Sequence, residues 1–258
     1  LIVTESIAIE ANGRISNRDL GIWSDDHIPG LKSIVDKCQA YGTKMAIQLS
    51  HAGRKSSSDD EYIVAPSAIR HSDKYKEPRE LSRDDIQDLL ISYKEAARRA
   101  NEAGFDILEI HGAHGYLIHQ FLSPLTNERR DEYGGSFENR LRFLKEVLYS
   151  VKEVWPEEKP IILRVSATDY VEGSIDEKVM VKIINEIKDS IDAVDVSTGG
   201  LVNTKIRSYP GYQVPYAEII RRECQIPTIT AGLIRTFEQI EEILSNDRAD
   251  LVALGRKL

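Results

Sequence analysis

The chain has 258 residues, of which 41% are hydrophobic and 29% are charged. Its formal net charge of -8 argues against a nucleic-acid partner or an anionic membrane surface, because both carry many phosphates. The two cysteines, Cys38 and Cys224, are far apart, which favours reduced thiols in a cytoplasmic protein over a disulfide framework. No segment approaches the roughly 20 apolar residues of a membrane span.

Apolar segments of strand length alternate with longer segments of helical periodicity along the whole chain. The predicted strands are residues 1–9, 43–50, 105–111, 160–167, 192–198, 226–231 and 249–254. The predicted helices are residues 26–41, 82–103, 136–154, 175–189, 215–223 and 236–246. Three of the helix starts resemble capping boxes: Ser82 with Asp85, Ser174 with Glu177, and Thr236 with Gln239.

The strict β-then-α order allows two α/β architectures, a doubly wound open sheet or a (β/α)8 barrel. Only seven strands are predicted, and the chain opens within the first of them. We therefore expect residues 1–258 to form a single TIM-barrel domain that lacks its first βα unit. The long connection 51–81 follows a strand on the side of the barrel where chemistry occurs, so we expect it to cover the site.

The segment 109–116 places two histidines and a tyrosine directly after a buried strand. His111 and His114 can donate hydrogen bonds to a developing oxyanion, and Tyr116 can deliver a proton near neutral pH. The same histidine pair also fits a metal-dependent barrel hydrolase. That alternative requires further His or Asp ligands at other strand ends, and no recognisable motif supplies them, so no metal is expected.

Other strand ends carry residues that suit a planar, anionic cofactor. The Gln48 amide can pair with a ring that has adjacent donor and acceptor atoms. Arg164 lies between apolar neighbours, where a cation is costly unless paired, and it can stabilise negative charge on a reduced heterocycle. Gly232 and Gly255, together with Arg256, match the phosphate site that barrels form after their last two strands.

The remaining histidines have simpler interpretations. His119 falls inside the apolar segment 117–122 and is expected to pack or to cap a helix. His27, His51 and His71 are expected to lie on the surface or in loops.

Taken together, these residues resemble the old yellow enzyme family of FMN-dependent oxidoreductases, in particular its bacterial NADPH dehydrogenase subclass. The resemblance extends over essentially the whole chain, and it is most specific in the histidine cluster and the block that follows it. The matching segments are residues 13–16, 20–23, 48–55, 65–68, 111–116, 123–127, 131–136, 138–140, 164–166, 210–213 and 255–256.

The resemblance implies an FMN site. Gln48 would hold the pyrimidine edge of the flavin, and Arg164 would favour the anionic reduced flavin. Gly232, Gly255 and Arg256 would take the phosphate. A further position, Ser6, is one where the family often places a small residue near the flavin.

The resemblance also implies an activity, in which NADPH or NADH reduces the flavin and the flavin then reduces an activated alkene. His111 and His114 would bind the substrate carbonyl oxygen, while Tyr116 would protonate the α-carbon after hydride reaches the β-carbon. Enones, quinones and nitro compounds are the expected substrates.

The family pattern has an N-terminal segment with the first strand, and a C-terminal part beyond Leu258, that this chain lacks. The full-length protein is expected to be a homo-oligomer. An alternative within the same superfamily is the N-terminal barrel of a larger iron–sulfur flavoenzyme, similar to 2,4-dienoyl-CoA reductase or trimethylamine dehydrogenase.

Overall fold

The computed structural model describes residues 1–255, and its strands and helices alternate as the sequence predicts. The strands are β1 (Ile2–Ala8), β2 (Met45–Ser50), β3 (Val64–Ala65), β4 (Arg79–Glu80), β5 (Ile107–Gly112), β6 (Ile161–Ser166), β7 (Ala193–Ser197), β8 (Thr228–Thr230) and β9 (Leu251–Val252). The helices are α1 (Ile28–Gln39), α2 (Arg83–Glu102), α3 (Leu117–Leu122), α4 (Phe137–Lys152), α5 (Glu177–Ile187), α6 (Val214–Cys224) and α7 (Phe237–Ser245). Within this range, no helix is both long enough and apolar enough to cross a bilayer.

Seven strands form one sheet in the order β1-β2-β5-β6-β7-β8-β9, and every neighbouring pair is parallel. This order follows the chain without a reversal, which distinguishes a (β/α)8 barrel from a doubly wound sheet. Between residues 1 and 255, no ladder joins β9 to β1. The predicted barrel-type α/β fold with one strand fewer than eight is confirmed.

The structure tests the three capping boxes that the sequence predicts at helix starts. Ser82 and Thr236 each form the predicted capping box, in which the side chain accepts from the backbone three residues later. The box predicted at Ser174 is wrong, because Asp176 is the N-cap of α5. The Ser174 hydroxyl instead donates to the buried carboxylate of Asp169, at 2.6 Å.

The short helix α3 is buried at all of its residues, and it follows the histidine cluster directly. Its Phe121 stacks on Phe143 of α4, with ring centroids 4.2 Å apart. Phe143 also meets the edge of Tyr93 from α2, with centroids 6.4 Å apart. These aromatic contacts join the outer helices to the segment that carries the predicted chemistry.

Replacing Phe143 by alanine tests this aromatic contact. The Phe143→Ala change removes a fully buried ring, and we expect it to lower the free energy of unfolding by about 3–5 kcal/mol. Urea titration followed by far-UV circular dichroism measures the change. Tyr149→Ala on the same helix is the control, since Tyr149 is 70% exposed and should change stability by less than about 0.5 kcal/mol. Equal losses in both variants would contradict the assigned packing.

Candidate active site

The register of three adjacent strands assembles the predicted residues. His111 of β5 lies opposite Arg164 of β6, and Arg164 lies opposite Asp195 of β7. Side chains at facing positions of neighbouring strands point to the same side of the sheet. An imidazole, a guanidinium and a carboxylate therefore form one row across the carboxyl half of the barrel.

A second row lies on the same face of the sheet, two residues earlier along β5. Ser6 of β1 is opposite Gln48 of β2, and Gln48 is opposite Glu109 of β5. The Gln48 Nε2 donates to Glu109 Oε1 at 2.5 Å, and both side chains are buried. The amide oxygen of Gln48 accepts no hydrogen bond within residues 1–255, so it remains available to a ligand.

The hydrogen bonds of the two predicted histidines define their tautomers. The backbone N–H of Ala113 donates to His111 Nδ1 at 3.2 Å, so a neutral His111 carries its proton on Nε2. That Nε2 lies 3.4 Å from His114 Nδ1 and can donate to it. His114 then carries its own proton on Nε2, which lies 2.6 Å from Ser197 Oγ. In this arrangement the His111 N–H points to the His114 ring and the His114 N–H points to Ser197, and a ligand oxygen that replaces these acceptors would receive a hydrogen bond from both rings.

Both imidazoles are held neutral. Burial lowers the pKa of His111 well below its ordinary value, and the proximity of His114 and Arg164 lowers it further. Burial, with the charge of Arg164, lowers the pKa of His114 to about 3. Neutral imidazoles near a cation act as hydrogen-bond donors to an oxygen atom rather than as sources of positive charge.

Tyr116 lies next to this pair at the N-cap of α3. Its ring packs edge-on against the His111 ring, with centroids 4.8 Å apart. Burial raises the pKa of Tyr116, so the phenol keeps its proton at neutral pH and can act as an acid. His111, His114 and Tyr116 are thus brought together as the sequence predicts.

Lys55 links the loops around this cluster, as expected for a connection that covers the site. Its Nζ donates to the carbonyl oxygens of His114, at 2.8 Å, and Gly200, at 2.9 Å. Its ammonium group also lies 5.2 Å from the centroid of the Tyr116 ring. Burial lowers the pKa of Lys55 to about 8. Sequence reasoning missed this residue, because its function depends on two loops that are distant in sequence.

The two loops that Lys55 joins touch through glycine. Gly115 has a φ of +74°, and a Cβ at this position would clash with the backbone oxygen of Gly200. A Cβ at Gly200, where φ is +91°, would lie 2.7 Å from the Cα of His114. These contacts leave no room for a side chain at either position.

A cavity of about 650 Å³ opens beside the Arg164 end of the row. The predicted residues Gly232 and Gly255 line it together with Arg164. Gly232 has a φ of +106°, and a Cβ there would lie 3.1 Å from Gln213 and Tyr212, so a side chain at this position would crowd two residues that line the cavity. The volume falls in the range of cofactor pockets. The predicted phosphate ligand Arg256 lies outside the described residues.

Two further polar side chains line this cavity, Ser197 at the end of β7 and Gln213 from one of the matching segments. Gln213 Nε2 donates to Ser197 Oγ at 2.9 Å, and Ser197 in turn contacts His114. Arg164 Nε lies 2.9 Å from Asp195 Oδ2, so the arginine is paired while its guanidinium still borders the cavity. Together with Gln48 on β2, the cavity fits FMN, because these groups combine a free amide oxygen, a fixed cation and backbone at glycines.

The other four histidines were expected to pack, to cap a helix, or to lie on the surface or in loops. His119 is buried as expected; its Nδ1 accepts from the Gly115 N–H at 3.0 Å. His51 lies in the loop directly after β2, one of the two positions expected for it, but it is only 1% exposed because Gly13 packs directly against its ring. His27 and His71 are half-buried in loops or turns. In the part of the chain that the structure describes, no group of three or more His, Cys, Asp or Glu side chains could hold a metal ion.

Comparisons with known proteins identify the family of the whole chain. The model of the NADH:flavin oxidoreductase / NADH oxidase family matches residues 1–258. An NADPH dehydrogenase of Clostridium acetobutylicum is 58% identical over 258 residues, which are 100% of this chain and 76% of that protein.

Two solved structures show the same fold. An old yellow enzyme homologue from Zymomonas mobilis superposes with a TM-score of 0.82 at 29% identity, over 98% of this chain and 74% of that one. A 2-naphthoyl-CoA reductase complex superposes with a TM-score of 0.91 at 25% identity, over 97% of this chain. The match covers 41% of that larger chain.

Gly115→Ala tests the contact between the two loops. We expect it to destabilise the protein by more than the roughly 1–2 kcal/mol of a left-handed alanine, because the added methyl also clashes with Gly200. Gly173→Ala is the matched control, since Gly173 has a φ of +78° and open space around it. Chemical unfolding of both variants measures the difference. Equal destabilisation would show that the loops are not in tight contact.

The protonation state of the two histidines is a second test. We expect their side-chain ¹⁵N signals to remain those of neutral imidazole from pH 8 down to pH 5, with His111→Asn and His114→Asn assigning the signals. The unfolded chain protonates histidine near pH 6.5, whereas the folded chain does not. His111 and His114 therefore lower the free energy of unfolding progressively as the pH falls below about 6.5. Signals that titrate near pH 6.5 would contradict the neutral state of the two imidazoles.

Proposed function

The chain belongs to the NADH:flavin oxidoreductase / NADH oxidase family and is an FMN-dependent NAD(P)H oxidoreductase of the old yellow enzyme type; we propose that it reduces the C=C bond of α,β-unsaturated carbonyl compounds. The observation that carries this proposal is the placement of a protonated phenol beside two neutral imidazoles. Two hydrogen-bond donors and one acid are what a conjugate reduction requires.

The FMN residues follow from the cavity and the strand rows. In the proposal Arg164 places its charge against the flavin ring, Gln48 offers its free amide oxygen and remaining N–H to the pyrimidine edge, and Ser6 lies beside Gln48. Gly232 and Gly255 line the phosphate end, where Arg256 would join them. When bound, FMN supplies the hydride from N5.

The substrate groups have separate roles in the proposal. His111 and His114 donate to the carbonyl oxygen and withdraw electron density from the conjugated bond. Tyr116 delivers its proton to the α-carbon, and the buried position of its phenol keeps that proton in place until transfer. Lys55 holds the His114 carbonyl and so fixes the loop that carries these groups. Quinones and nitro compounds have oxygen atoms that the same donors can bind.

A second candidate is the barrel of a larger iron–sulfur flavoenzyme. The observation in its favour is the TM-score of 0.91 to the larger 2-naphthoyl-CoA reductase chain. The 58% identity to a bacterial NADPH dehydrogenase favours the first candidate, because it more than doubles the 25% identity to the larger protein.

Tyr116→Phe tests whether the phenol acts in only one of the two half-reactions, which are reduction of the flavin by NADPH and its reoxidation by the alkene. We expect NADPH to reduce the bound flavin at the wild-type rate, because the phenol takes no part in that transfer. Reoxidation by 2-cyclohexenone should slow by about 10²–10⁴-fold, the usual contribution of a general acid. Stopped-flow absorbance of the flavin measures both rates.

Tyr149→Phe is the control for this variant, since that ring is exposed and does not line the cavity. It should leave both half-reactions unchanged. Equal slowing of the two half-reactions in Tyr116→Phe would exclude tyrosine as the specific proton donor. A purified protein that reduces no enone despite bound FMN would exclude the proposed reaction itself.

A further inference from the structure

The barrel interior contains two carboxyl groups that the proposed chemistry does not use. Glu109 is 1% exposed, and Asp195 is 6% exposed. One oxygen of each is engaged, Glu109 Oε1 by Gln48 and Asp195 Oδ2 by Arg164. The other oxygens, Glu109 Oε2 and Asp195 Oδ1, are buried without a hydrogen-bond partner within residues 1–255. An unpartnered buried carboxylate oxygen is costly, so each of these sites favours a proton.

The charges in this group do not balance when both carboxyls are ionised. Arg164 then supplies one positive charge against two negative charges, and the sheet register keeps the three groups on adjacent strands. Burial and the charge of Asp195 raise the pKa of Glu109 to about 7, while Arg164 acts in the opposite direction. Burial also raises the pKa of Asp195, which the direct ion pair with Arg164 opposes. Glu109 has only the Gln48 amide as a direct partner, so it is the group that accepts the proton.

The protonation of Glu109 is linked to the cofactor site through Gln48, which donates a hydrogen bond to it, and through the nearby charge of Arg164. Gln48 and Arg164 are the two residues that the proposed function places against the flavin. A ligand that gains negative charge beside Arg164 cancels part of the positive charge that holds Glu109 ionised. The affinity of Glu109 for a proton must then rise, since linkage between two sites is reciprocal.

We propose that Glu109 is a redox-linked proton site, which takes up one proton from solvent when the bound FMN is reduced. The inference rests on the FMN site of the proposed function. NADPH transfers two electrons and one proton as hydride to N5, and a second proton adds to the Glu109 carboxylate to give the neutral acid. The negative charge of the reduced flavin is thereby compensated inside the protein. Reoxidation of the flavin returns the Glu109 proton to solvent.

The test measures the midpoint potential of the FMN-loaded protein from pH 6 to pH 9. One extra proton per two electrons changes the equilibrium constant tenfold per pH unit, which corresponds to an additional slope of about 30 mV per pH unit for a two-electron couple. We expect this steeper slope in the wild type above the pH at which Glu109 ionises in the oxidised protein. Glu109→Gln should remove it. Glu146→Gln is the control, because that half-buried carboxyl lies on the outer helix α4, where it accepts a hydrogen bond from the Tyr133 hydroxyl, and its replacement should leave the slope unchanged.

Two results would overturn the proposal. One is a midpoint potential of the wild type that changes by only about 30 mV per pH unit from pH 6 to pH 9, as expected for one proton per two electrons. The other is a steep slope that persists in Glu109→Gln, because the proton would then be on the flavin. If that variant does not hold FMN, infrared difference spectra of the wild type decide the matter. Reduction should produce the carbonyl stretch of a protonated carboxylic acid, and its absence would refute the assignment. These measurements need no alkene, so they are independent of the proposed substrate reaction.

Discussion

The site depends on the parallel register of β5, β6 and β7. This register aligns His111, Arg164 and Asp195 across the sheet. Because side chains alternate between the two faces of a strand, a slip of one residue in β6 would turn Arg164 away from both neighbours. The ion pair to Asp195 requires this alignment, and so does the contribution that the Arg164 charge adds to burial in lowering the pKa of His114. A backbone hydrogen-bond ladder thus determines the electrostatics of the side chains.

The loops beyond the strands need separate restraints, since the ladder ends where they begin. Lys55 supplies one restraint by binding two carbonyl oxygens from different loops. The direct contact between Gly115 and Gly200 supplies another. His119 adds a third, because it accepts the Gly115 N–H from behind the loop. Each restraint involves backbone atoms, so the chemistry-bearing side chains remain free to meet a ligand.

Much of the fold and part of the site could be predicted from the sequence. Strand order followed from apolar segments alternating with helices, and the cluster at His111 and Tyr116 was visible because its members are close in sequence. The partners Glu109 and Asp195 could not be assigned, because their roles depend on register across strands. The burial of His51 could not be predicted, since it comes from the distant Gly13. Local chemistry can be predicted from the sequence, whereas burial by remote loops cannot.

The complete burial of α3 has a consequence for how the site can open. A helix this short is unstable by itself and exists because its neighbours surround it. Its first turn follows Tyr116, and its Phe121 stacks on α4. Native-state hydrogen exchange of α3 should therefore report the same opening free energy as the interior of α4. The segment bearing the acid and the outer layer of the barrel would then unfold as one cooperative unit, so the phenol cannot leave its place by local fraying.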